Sequence, residues 1–202
     1  MPKSQRWPSP TPDALRAVAD VLLAGGVAVI PTDTVYGLAA HPSFPAAVRR
    51  IYEIKGRDEG KPIALLASDA DAPLRLGAAM PPAARALAER FWPGALTLVL
   101  DTPAATEGFR VPDSPAARSI IAMCGGLLRV TSANFSGEPA PRDFDAIPAS
   151  FLDLCDASIN AGPCPGGVPA PLSNSTPPAP QHSSAPAPAP SPNFWPRIPF
   201  DR

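Results

Sequence analysis

The sequence predicts a single α/β (α+β) domain in which helices pack on a central sheet. Two observations carry that prediction. Residues 27–30, 63–66, 96–100 and 127–131 are short, largely apolar runs with the composition of strands buried on both faces. Between them lie stretches with apolar residues at helical spacing and recognisable helix-start signals, the alternation of layered α/β folds. A length of 202 residues suits one domain with a sizeable core.

Taken in order, Thr11-Pro12-Asp13 reads as an N-cap, a first-turn proline and an acid favoured by the helix dipole. Leu15, Val18 and Leu22 then share one helical face, and Gly25-Gly26 end the helix. Residues 27–30 form the first buried strand. Pro45 opens a second helix, with Val48, Ile51 and Tyr52 inward, that finishes near Lys55-Gly56. Residues 63–66 are a strand, 81–92 a helix closed by Pro93-Gly94, and 96–100 the clearest strand. An extended segment is expected at 109–111, a helix at 115–124, a strand at 127–131 and a last helix within 143–152. Residues 1–12 read as an N-terminal extension and 13–169 as the folded domain. Thirteen of the 31 prolines fall in residues 163–202. Segment 170–202, rich in Pro, Ala and Ser, has too few apolar side chains to offset the entropy of ordering it, and is expected to be a disordered tail.

A net charge of −1 excludes a global basic field, so any anion-binding surface must be local. The three cysteines, Cys124, Cys155 and Cys164, form no CxxC pair, which argues against a disulfide framework or a four-cysteine zinc site. The N-terminus lacks a signal-peptide core and no apolar run reaches membrane-spanning length, so a cytoplasmic protein without membrane partners is expected.

Three polar segments follow predicted elements. Pro31-Thr32-Asp33-Thr34-Val35-Tyr36-Gly37-Leu38 leaves the first buried strand, where α/β sheets present ligand loops; Gly37 would let backbone approach a ligand closely. Lys55-Gly56-Arg57-Asp58-Glu59-Gly60-Lys61-Pro62 puts three cations in one turn, suited to a polyphosphate and equally to a solvated helix C-terminus. Ser132-Ala133-Asn134-Phe135-Ser136-Gly137 ends another strand with hydroxyls and an amide able to meet phosphate or ribose, or to build an Asx turn. Arg110, before Val111-Pro112, is a candidate to pair with a carboxylate. No GxxxxGK[ST] loop or GxGxxG fingerprint occurs. His41 and His182 lie far apart, His41 as a loop residue, so a metal cluster or a His-based triad has little support.

The order of these segments, with Pro93-Gly-Ala-Leu-Thr-Leu between them, resembles the YrdC-like family of threonylcarbamoyl-AMP synthases over roughly residues 13–169. The resemblance implies a twisted mixed sheet flanked by helices, with a positively charged concave face. It implies synthesis of threonylcarbamoyl-AMP and pyrophosphate from L-threonine, bicarbonate or CO2, and ATP, with Mg2+, for N6-threonylcarbamoyladenosine in tRNA; separate transferase proteins complete that modification. Carried over by position, Lys55 and Arg57 would be catalytic. ATP would be held by Lys55, Arg57, Lys61, Thr106, Ser132, Asn134 and Ala140, and threonine by Thr34, Leu66, Arg110 and Val130. No protein-held metal is implied.

The chain departs from the family after Gly166-Gly-Val-Pro. Where Ser-Thr and a further strand are usual, it reads Ala170-Pro171-Leu172-Ser173-Asn174. That change puts threonine capture in question and motivates a second reading: a non-catalytic module binding structured RNA through the same basic face. Such a module would show an affinity that falls steeply with salt. A third reading, a carbamoyl-transfer domain from hydrogenase maturation, belongs to much longer chains.

Overall fold

The computed structural model describes residues 4–166 and 173–174. In chain order the elements are β1 (Gln5–Trp7), α1 (Pro12–Leu23), β2 (Val27–Ile30), β3 (Gly37–Ala40), α2 (Pro45–Lys55), β4 (Leu65–Ala67), α3 (Ala72–Arg75) and α4 (Pro82–Phe91). They continue with β5 (Leu98–Asp101), β6 (Thr106–Arg110), α5 (Pro115–Met123), β7 (Leu127–Ser132), a 3-10 turn (Phe144–Ala146), α6 (Ala149–Leu152), β8 (Ala157–Ile159) and β9 (Ser173–Asn174). The strands form one mixed sheet in the order β1-β8-β2-β3-β7-β4-β6-β5-β9. Strand pairs β1/β8, β2/β8, β4/β6 and β5/β9 are parallel, and the other four are antiparallel.

Each face of the sheet is read from strand alternation. Ala28, Ile30, Ala39, Leu66, Leu128, Val130 and Ile159 point to one side, where α1 and α5 cover them with Val18, Leu22, Ile120 and Ile121. Val27, Val29, Leu38 and Ala40 point to the other side, under α2 and α6. Leu65, Leu98, Leu100, Phe109 and Leu127 share that second side, under α3 and α4. Among the described residues, no helix covers the first face over β6 and β5. Thr106 and Asp101 are exposed there, and Gly108 and Arg110 are partly so.

Several elements start or end away from the expected positions, each for a local reason. α1 is capped as expected, with the Thr11 hydroxyl accepting the Ala14 N–H. β4 begins at Leu65 rather than 63, because the Ile63 carbonyl is taken by the Arg129 guanidinium. β5 begins at Leu98 rather than 96, because the Leu96 carbonyl accepts from the Trp92 indole. β6 ends at Arg110, since the Val111 carbonyl turns to Gly94 N–H. The helix expected within 143–152 divides in two at Pro148, whose ring forces Ile147 into an extended conformation. Residues 5–7, read from sequence as part of an extension, pair with β8 as the first strand. The expected tail lies outside the described residues except for Ser173–Asn174, which pair with Leu98–Val99.

Gly37 serves packing. A Cβ there would stand 2.5 Å from Val130 Cγ1 across the β3/β7 pair, so its missing side chain makes room for Val130. Beside it, buried Tyr36 donates its hydroxyl to Gly162 O (2.6 Å) and accepts from Ala161 N–H (3.0 Å), pinning loop 160–162 to the sheet. Burial raises the pKa of that hydroxyl, so it stays protonated and a donor. A Tyr36→Phe protein is expected to unfold at lower urea, losing about 1–2 kcal/mol for the two orphaned backbone groups. An unchanged midpoint would show that the hydroxyl contributes nothing.

Candidate active site

The end of α2 and the end of β7 meet through Lys55. Gly56 adopts φ +59°, a left-handed C-cap that suits glycine, and Arg57 N–H closes the helix on Tyr52 O. The turn leaves Lys55 inward, 3% exposed. Its Nζ donates to Ser132 O (2.5 Å), to Asn134 O (2.7 Å) and, at 3.4 Å, to Asn134 Oδ1. Burial, with the Arg57 charge second, lowers the ammonium pKa to about 8. Asn134 in turn donates both amide hydrogens, to Phe135 O (2.9 Å) and Glu138 O (2.7 Å). Arg57 braces its own loop, Nε to Lys61 O (3.1 Å) and Nη2 to Pro62 O (3.2 Å), while Lys61 is exposed.

A second cluster forms where loop 31–36 reaches β6. Arg110 donates from Nη2 to Asp33 Oδ1 (2.5 Å), from Nη1 to Thr34 Oγ1 (3.2 Å) and from Nε to Gly94 O (3.0 Å). Thr32 spends its hydroxyl hydrogen on Val35 O (2.6 Å) and accepts from Thr34 N–H and Val35 N–H. In the 3.2 Å contact between the two threonine hydroxyls, Thr34 is therefore the donor, and its lone pairs face Arg110. Asp33 and Arg110 side chains are 11% and 13% exposed. A cavity of about 500 Å3 opens beside Asp33, between this loop, Ser114 at the start of α5, and residues 161–165.

The expected site residues thus fall into groups. Lys55, Ser132 and Asn134 come together, and so do Thr34 and Arg110. Leu66 is the cross-strand partner of Arg110 on the same face, with Val130 two strands away. Ala140 lines a separate cleft of about 660 Å3 with Asn134, Glu138 and Arg142. Thr106 stands at the outer end of β6, bonded to Asp101 (2.7 Å). Sequence reading passed over Asp33 as Arg110's partner, although a carboxylate was expected for that arginine. It also passed over Gly94, whose only signal is the Pro-Gly before β5.

The remaining polar candidates are structural. His41 Nδ1 accepts Ser43 N–H (3.2 Å), which leaves Nε2 to carry the hydrogen and donate to Cys124 O (3.0 Å). Burial lowers the pKa of that ring and so favours the neutral form the two bonds need. All three cysteines are unpaired and buried, with burial pushing Cys124 and Cys155 up to about 12 and raising Cys164. No described helix is long and apolar enough to cross a membrane.

The chain is 33% identical to a threonylcarbamoyl-AMP synthase of Bacillus subtilis over 184 residues, 82% of this chain and 53% of that protein. It spans about half the length of several such curated relatives. Superposed on Pyrococcus abyssi Sua5 complexed with L-threonine, it gives a TM-score of 0.74 at 30% identity, covering 79% of this chain and 50% of that one. Escherichia coli YciO shares the fold, with a TM-score of 0.76 at 24% identity over 86% of this chain and 91% of its own. The profile of the Sua5/YciO/YrdC family, described as telomere recombination, matches residues 20–181, so this chain belongs to that family.

Proposed function

We propose that the protein condenses L-threonine, bicarbonate or CO2, and ATP into threonylcarbamoyl-AMP and pyrophosphate in the cytoplasm, for N6-threonylcarbamoyladenosine formation in tRNA by separate transferases. One observation carries the reading. On the sheet face that no described helix covers, an arginine held between Asp33 and Thr34 stands on β6, one strand from β4, which the cation-bearing loop 55–61 leads into. An amino acid carboxylate suits the guanidinium, and a triphosphate suits the loop.

The chemistry needs no covalent enzyme intermediate. The threonine amine adds to CO2 and releases a proton; a carbamate oxygen then attacks the α-phosphorus, and the bond to the pyrophosphate oxygen breaks. In this reading Arg57 and exposed Lys61 stabilise the leaving charge. Among the described residues, no group of three or more His, Cys, Asp or Glu is arranged to hold a metal ion. Mg2+ would enter with ATP, as part of the MgATP substrate.

Pyrophosphate release measured with ATP, threonine and bicarbonate is expected only when all three are present. Release that ignores threonine would sink the reading. Absence of release, together with RNA affinity that drops steeply with salt, would point instead to the non-catalytic RNA module.

A further inference from the structure

We propose that Lys55 and Asn134 form one internal strut that shapes the turn 132–138, making Lys55 a positioning residue and not a ligand of ATP. The inference rests on the synthase reading for its meaning, but its geometry stands apart from it.

Counting hydrogens decides the matter. A lysine ammonium has three N–H groups and no acceptor. Here three acceptors surround it, Ser132 O, Asn134 O and Asn134 Oδ1, and only 3% of the residue reaches solvent. Asn134 is likewise spent, its two amide hydrogens on Phe135 O and Glu138 O and its carbonyl facing Lys55. Neither side chain keeps a donor for a phosphate oxygen. The main chain repeats the link, since Lys55 O accepts Ser136 N–H (2.8 Å). Helix α2 therefore grips the turn from both sides of one residue.

The turn is also a wall. Asn134, Glu138 and Ala140 line the 660 Å3 cleft, so the bonds from Lys55 set that cleft's shape. Arg57, by contrast, uses Nε and one Nη2 hydrogen on the loop carbonyls and keeps three N–H groups. Direct phosphate contact thus passes from Lys55 to Arg57 and Lys61.

The test is a cycle of Lys55→Met, Asn134→Ala and the double variant, read two ways. Amide hydrogen exchange of ligand-free protein at Ser136 and Glu138 is expected to quicken about 10-fold or more in each single variant. The KM for ATP in pyrophosphate release is expected to rise about 10-fold in each single variant and no further in the double, because the two residues act as one unit. Turnover at saturating ATP should change by less than about 3-fold. Effects on KM that simply add, or a fall of about 100-fold in turnover with exchange unchanged, would overturn the proposal and restore Lys55 as a phosphate ligand. If Lys55→Met fails to fold, Asn134→Ala alone carries the exchange measurement, and unchanged exchange there counts against the strut. If the unaltered protein releases no pyrophosphate, the synthase reading fails, while exchange still decides whether the strut exists.

Discussion

An Arg110→Met protein is expected to lose about 3 kcal/mol of stability and about 100-fold or more in threonine-dependent pyrophosphate release. Removing the guanidinium strands the Asp33 carboxylate, 11% exposed, without a counter-charge, and breaking one partner out of a buried pair costs about 3–5 kcal/mol. The low end applies because both groups keep some solvent. Gly94 O and the Thr34 lone pairs lose donors at the same time. The activity loss has a different origin, since a misplaced substrate by about 1 Å can cost about 100-fold. Adding Asp33→Asn to Arg110→Met separates the two, because it removes the stranded charge without supplying a threonine anchor. Urea unfolding of the double variant should recover most of the stability, and its activity should stay low. A single variant within about 0.5 kcal/mol of the parent, and fully active, would refute both the stabilising role of the Asp33–Arg110 pair and the threonine site.

The parts of this fold legible in the sequence were those whose signal is local. Helix α1 announces itself through Thr11-Pro12-Asp13, and the apolar runs of β2 and β7 need no partner to be recognised. β3 escaped notice because Gly37-Leu38-Ala39-Ala40 is small and follows a polar loop; its burial depends on β2 and β7 on either side. β8 is three residues long with a serine at its centre, and only pairing with β1 and β2 makes it a strand. The site divides along the same line. Arg110 and Thr34 stood out as residue types near strand ends, but Asp33 as the partner follows from a contact across 77 positions of chain. The surroundings of Lys55 were hidden for the same reason. A lysine at a helix C-terminus looks like surface charge or a phosphate ligand, and only the carbonyls of residues 132 and 134, folded against it, reveal an internal bond.

Arg129 gives the second large effect, on the helix-covered face of the sheet. Its guanidinium meets Glu107 through both oxygens, Nη1 to Oε2 at 2.6 Å and Nη2 to Oε1 at 2.5 Å, and Nη1 also reaches Ile63 O at 2.6 Å. The side chains are 15% and 18% exposed. Arg129→Met should therefore cost about 3 kcal/mol, leaving a carboxylate and a carbonyl unpaired, and Glu107→Leu should cost a similar amount. The double variant is expected to recover much of the loss, because two apolar side chains of like volume carry no desolvation penalty. Function should follow a different course. Arg129 ties β7 to β6 three residues from Arg110 on the same strand as Glu107, and to Ile63, two residues beyond Lys61. Losing that tie should raise the KM for ATP and threonine together even where stability returns, since hydrophobic packing does not fix the spacing of loop 55–61 and Arg110 as a bidentate pair does. Unfolding curves for the cycle, set beside the two KM values, check both halves. Additive stability losses would mean that Arg129 and Glu107 act separately, and unchanged KM values in the double variant would free the site from this brace.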